Sequence, residues 1–341
     1  MTSLLLASVI PSEAVMRRAG MFLFAFACVG MLCFTALVGC SKHKKITFPQ
    51  LPSYQLVAAW GDSGSANGQF RYPRGVALGH SGNVYVADSG NDRVQVFSGA
   101  GVYLYQWGDS GSANGQFRYP ANMAVDASGN VYVVDVDNHR VQKFTGNGAY
   151  ITQWGTYGSG DGQFVSPWGV AVDTSSNVYV TDTYNRRVEK FTSAGSYVTQ
   201  WGSLGTGDGQ FQSPRGIAVD DSGNVYVADS DEAGGNHNRI QKFTGTGTYL
   251  MRWGAYGHGN GQFYSPDGVA ADNAGNVYVA DTENWRIQKF TRMGAYITQW
   301  ASGGDARGVC APGELAVDTN GNVYVAEWNF CCRIQKFAPR Q

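Results

Sequence analysis

Two residue types recur in this chain at a spacing that could do chemistry. An acid stands at Asp88, Asp135, Asp182, Asp229, Asp281 and Glu327, and an arginine follows at Arg93, Arg140, Arg187, Arg239, Arg286 and Arg333. Six carboxylates beside six guanidiniums could bind anions or move protons. They could equally tie loops together, since Asp at a tight turn accepts backbone N–H bonds and Arg pairs with carboxylate. A group present in every copy of a repeat serves what every copy shares, which is packing, so the wheel reads as structural. Asn67, Asn114, Asp161, Asp208 and Asn260, each just before a glycine, read as turn formers. One side chain per copy falls far short of the roughly six to eight oxygens that calcium takes.

Specific chemistry belongs where the copies differ. After the proline of successive repeats come Arg74, Ala121, Trp168, Arg215, Asp267 and Gly313, with Glu314 one step further. Between acid and arginine the copies vary again, at Asp92, His139, Arg186 and Trp285, with Tyr184 nearby. Arginines, tryptophans and a few acids are what a recognition surface uses. The expected ligand-binding set is Arg74, Trp168, Arg215, Asp267, Glu314, Trp285, Tyr184 and Arg186. A purely structural alternative pairs Arg74 with Glu314 and Arg215 with Asp267, and lets Trp168 pack. No catalytic set emerges. His139, His237 and His258 come from different repeats and loop types, whereas zinc needs ligands converging within about 2.1 Å. Asn122, Asp267 and Glu314 could face a cation, but the two arginines beside them would repel it. Neither a metal nor another cofactor is expected, and binding is preferred over catalysis.

The elements that place these residues follow from the period. Trp60, Trp107, Trp154 and Trp201 are spaced by 47 residues, Trp253 follows after 52, and Trp300 after 47. The extra five are a polar loop insertion at Asp231-Glu232-Ala233-Gly234-Gly235. A period of this size means a solenoid, a propeller or an array. Each unit holds four short apolar runs separated by Gly, Asn, Asp, Ser and Thr turns, and no sustained helical periodicity follows Cys40. The unit is therefore a four-stranded antiparallel meander, labelled a to d from the axis outwards. Strand a carries Ala in all six copies (Ala77, Ala124, Ala171, Ala218, Ala270 and Ala316), strand b carries Tyr, and strands c and d carry Phe and Trp. Small residues inside and large ones outside fill the wedge between sheets that radiate from an axis. The last repeat has runs a to c, and a strand-d run, Tyr54–Trp60, precedes the first repeat. Together they make one blade, and a closed ring has no bare edges. The fold class is all-β: a six-bladed propeller closed by its N-terminal strand over residues 54–341. Strand alternation puts the varying residues on one face, at the mouth of the central channel.

The motif Gly-x-Gly-Gln-Phe-x-x-Pro-x-Gly-Val-Ala-Val-Asp, followed by Gly-Asn-Val-Tyr-Val-Ala-Asp-x-x-Asn-x-Arg-Val-Gln-Lys-Phe, resembles the NHL repeat. It covers essentially all of residues 54–337. The resemblance implies the six-bladed ring and, among relatives, protein-interaction modules, RNA binders, sensor domains and one peptide-amidating lyase. A channel-mouth lyase or hydrolase, related to that lyase or to lactonase propellers, is the alternative function. The histidine and arginine constellation of the lyase finds no residue-by-residue match here. The 25 basic and 26 acidic residues nearly cancel, so no nucleic acid partner is expected. The expected partner is a protein, peptide or glycan, bound by a monomer.

Arg17 and Arg18 precede an apolar run from Gly20 to Val38 that ends in Leu37-Val38-Gly39-Cys40. These are the marks of an export signal over residues 1–39, with Met16 as an alternative start, and a retained transmembrane helix is the alternative reading of the apolar run. The Gly-Cys ending resembles the bacterial lipobox. It implies acylation of Cys40, a lipidated tether over 40–53, and membrane contact through that anchor alone. The location is then extracytoplasmic, on the outer membrane or its periplasmic side in a diderm cell. In that oxidising setting Cys310 is expected to form a disulfide with Cys331 or Cys332 and brace the closing blade.

Overall fold

The β-branched and aromatic runs between the turns form 24 strands in six four-stranded antiparallel sheets. The computed structural model describes residues 54–231, 237–301, 310–329 and 331–340. The expected signal, the tether with Cys40 and most of the five-residue insertion lie outside them. Repeat three shows the unit: Pro167–Val172, Val178–Asp182, Arg187–Phe191 and Tyr197–Trp201 pair in sequence order.

Strand b is buried along its whole length in every blade, because neighbouring sheets cover both of its faces. Strand d is the rim, and its residues alternate between half-buried and exposed, as in Tyr150–Trp154. The cores therefore lie between blades. Ala77, Tyr85 and Val94 of the first blade pack against Phe117, Met123, Val131 and Phe144 of the second. Charged clasps reinforce the contact: Lys143 Nζ sits 4.9 Å over the Tyr132 ring and donates to the Ser193 carbonyl of the next blade.

Ring closure follows the expected route. Tyr54–Trp60 pairs antiparallel with Arg333–Pro339, matching Leu56 to Phe337 and Trp60 to Ile334, and completes the sixth sheet. The Tyr54 ring stacks on Trp300 at 4.1 Å, and its hydroxyl lies 3.0 Å from that of Tyr278 in the fifth blade. The first strand thus locks the last blade to its neighbour.

Candidate binding site

The recurring acids and arginines are used up in holding loops. Arg140 Nε donates to Asp135 at 2.7 Å, while Asp135 also accepts the Arg118 N–H at 2.7 Å. Arg140 Nη2 reaches the Ala113 and Gln116 carbonyls. The same pair forms in every blade, ending with Arg333 on Glu327. A second set of bonds runs between blades. Ser89, Thr183, Ser230 and Thr282 each donate a hydroxyl to the carbonyl of the next blade's first proline. Asp92 and His139 also bond across, accepting the N–H groups of Tyr119 and Ser166 at 2.8 and 3.1 Å. Two of the variable loop positions are thereby structural. The histidines do not come together: His258 bonds Asn284, and His139 holds Ser166.

Around the mouth, the position after the proline is large in some blades and small in others, and this sets the site. Arg74 of blade one has Ala121 on one side and Gly313 on the other. With so little side chain beside it, Arg74 reaches across both neighbours. Its Nη1 lies 3.4 Å from Asp267 in blade five, and its Nε donates to the Tyr119 hydroxyl at 3.0 Å. Its guanidinium lies 3.7 Å from the Trp328 ring and 5.3 Å from the Trp168 ring. Arg215 donates to the other Asp267 oxygen at 2.7 Å and sits 5.2 Å from the same Trp168 ring. Asp267 is thus clasped by two arginines, and both guanidiniums lie near the Trp168 ring. The Arg215–Asp267 pair of the structural alternative forms. Arg74, in contrast, turns to Asp267 rather than to Glu314.

Glu314 lies deeper. The position after Arg74, Trp168, Arg215 and Asp267 is glycine in each case. A Cβ on Gly169 would come 2.4 Å from the Arg215 carbonyl oxygen, and one on Gly216 would come 2.5 Å from that of Asp267. Only beside Ala121 and Gly313 does a side chain follow, as Asn122 and Glu314. These two are the polar side chains of a central cavity of about 210 Å³, otherwise lined by Val, Ala, Leu, Ile and Met. Glu314 is buried and its Oε1 has no hydrogen-bond partner. Burial raises its carboxyl well above the usual range, and the nearby Asp267 charge adds to the rise.

Two clefts flank this centre on the top face. One, of about 340 Å³, is lined by Tyr119, Val136, Asp137, Trp168, Tyr184 and Arg215, among others. The other, of about 480 Å³, has Arg74, Arg215, Asp267, Glu283 and Trp328 in its wall. Tyr184 is exposed, and the Arg186 guanidinium lies 5.5 Å from its ring while donating to the Thr183 carbonyl. Trp285 is exposed and lines neither cleft. Tyr119 and Trp328 were not among the expected site residues. Trp328 carried a readable signal, since it occupies the place of the hydroxyl residues Ser89, Thr183, Ser230 and Thr282.

Cys310 is paired with Cys331, their Cα atoms 6.1 Å apart, and Cys332 is buried and free. The bridge ties strand a of the closing blade to the loop beside Trp328.

The NHL-repeat family model matches five segments, residues 70–97, 117–144, 164–191, 211–243 and 263–290. No curated protein matches the chain in sequence. Among solved structures, a protein of unknown function from Bacteroides thetaiotaomicron is 19% identical with a TM-score of 0.63, covering 84% of this chain and 76% of its own. A gluconolactonase from Xanthomonas campestris is 15% identical, with a TM-score of 0.60 over 80% of this chain and 87% of its own. Virginiamycin B lyase from Staphylococcus aureus is 13% identical, with a TM-score of 0.57 over 84% of this chain and 100% of its own. At these identities the likeness is one of fold.

Proposed function

Because this chain is an NHL-repeat protein whose six blades close a ring, we propose that it is a non-catalytic binding module holding a protein, peptide or glycan at its top-face mouth. One observation carries the reading. Side chains that recur in every blade are consumed by bonds within and between blades, whereas four that differ, Arg74, Trp168, Arg215 and Asp267, converge on one centre. There the Trp168 ring lies beside Arg74 and Arg215, both held by Asp267. Tryptophan and arginine anchors held in place before contact are what tight recognition uses. A channel-mouth lyase or hydrolase remains the alternative, and fold likeness to a lactonase and a lyase does not advance it.

We also place the protein outside the cytoplasm, as a monomer tethered by an acylated Cys40 behind the residue 1–39 signal. The Leu37-Val38-Gly39-Cys40 ending supports this.

Capture of partners by the tagged full chain tests the function. Trp168→Ala and Arg74→Ala should each cut capture about tenfold, the loss of one anchor, with the thermal transition shifted by only a few degrees. Unchanged capture by both folded variants refutes the mouth as the site.

A further inference from the structure

We propose that the cleft between blades two, three and four is a carbohydrate site that takes a neutral mono- or disaccharide, a ligand assignment that rests on the binding function proposed above. Three departures from the repeat pattern meet there, beside Tyr119, an aromatic residue shared only with Tyr72 where the other blades have Ser166, Ser213, Ser265 and Ala311. Val136 replaces the hydroxyl found at Ser89, Thr183, Ser230 and Thr282, so its wall of the cleft is apolar. Trp168 and Tyr184 occupy positions that hold no other aromatic residue around the ring.

These residues match the chemistry of a sugar. A pyranose offers an apolar face of C–H bonds and a rim of hydroxyls. Trp168 provides a ring that two guanidiniums and Tyr119, 6.3 Å away, hold in place. Tyr184, 58% exposed, offers a second ring at the lip. Asp137 is an exposed carboxylate acceptor, Arg215 a donor, and Ser166 and Thr183 complete the lining. The volume of about 340 Å³ lies at the small end of ligand pockets.

Charge and backbone narrow the class further. The cleft lining holds one charge of each sign, Arg215 and Asp137, and Asp267 is shared by Arg215 and Arg74, so no net positive charge is there to draw an anionic ligand. A peptide bound as an added strand needs unpaired backbone groups. The N–H groups of Val136, Asp137, Ser166 and Tyr184 are already bonded to Tyr119, Arg118, His139 and Val165.

The test applies the full chain to an array of neutral and acidic oligosaccharides, with a peptide array in parallel, and follows hits by tryptophan fluorescence titration. Neutral oligosaccharides should bind, and Trp168→Ala and Tyr184→Ala should each weaken them about tenfold, the loss of one stacking face. Tyr184 is exposed, so its variant keeps the fold even if Trp168→Ala does not. Binding confined to peptides, lost in the same variants, overturns the sugar assignment and leaves the top-face function standing. Binding confined to acidic sugars, or to neutral sugars with both variants unaffected, overturns the assignment. Silence on both arrays overturns it as well, and partner capture by the Arg74 and Trp168 variants then decides the function separately.

Discussion

Replacing Glu189 with glutamine should stabilise the protein, by an amount that depends on pH. Five blades carry glutamine at this strand-c position: Gln95, Gln142, Gln241, Gln288 and Gln335. In blade two, Gln142 Oε1 accepts the Gly115 N–H at 2.9 Å, while Nε2 donates to the Gln116 carbonyl and to Asp135. Glu189 keeps the first bond, accepting from Gly162 at 2.8 Å, but it has no amide to donate. Its Oε1 is buried and accepts no hydrogen bond, and is ion-paired with Arg187 Nη2 at 2.5 Å. Burial raises the carboxyl from 4.5 to about 7, outweighing the Gly162 N–H bond and the Arg187 charge that lower it, with smaller rises from the Asp182 and Asp161 charges. A carboxyl raised in this way keeps its proton in the folded chain over the interval where the unfolded chain has lost it. Stability therefore falls as pH climbs from 4.5 to 7, and the whole penalty is present above 7. The rise corresponds to about 3 kcal/mol at most, and to about 2 kcal/mol after solvent screening from the adjacent loop. Thermal unfolding of wild type and Glu189→Gln at pH 8 should differ by about 4 °C in favour of the variant. The gap should shrink to under about 1 kcal/mol at pH 5. An equal gap at the two pH values, or a less stable variant at pH 8, refutes the assignment of a buried carboxylate penalty.

Two further outcomes follow from packing and covalent geometry. Among Cys310, Cys331 and Cys332, alkylation of denatured, unreduced protein from its native compartment should label Cys332 alone, and Cys310→Ala should cost about 3 kcal/mol for a closed loop of this length. Three labelled thiols would remove the bridge from the account. Gly216→Ala should cost about 1–3 kcal/mol, because its Cβ would meet the Asp267 carbonyl at 2.5 Å. Wild-type unfolding midpoints in this variant would show that the mouth can widen freely.

The fold was legible because the repeat states each constraint six times. Ala on strand a and Tyr on strand b grade residue size from axis to rim, and the orphan strand before Arg71 announces the closing pair. Only the sixth copy, where Cys310 stands near the lost Gly-Gln-Phe motif, escapes the family model, yet it folds as a full blade. The mouth residues were also legible, by their failure to repeat. Arg74, Trp168, Arg215 and Asp267 meet, whereas Trp285 does not join them.

Which mouth residues touch was decided by the ring. Arg74 and Asp267 are 193 residues apart and belong to blades that are not neighbours. They meet because Gly313 and Ala121 leave open the ground that Arg74 crosses, a property of space between blades that no local spacing encodes. The same geometry turns Glu314 away from Arg74 and buries its side chain in an apolar throat. Periodic sequence dictates the strands and their packing faces, because each blade repeats one local problem. Pairings across the mouth depend on the radius at which six wedges close, and only the assembled ring sets that distance.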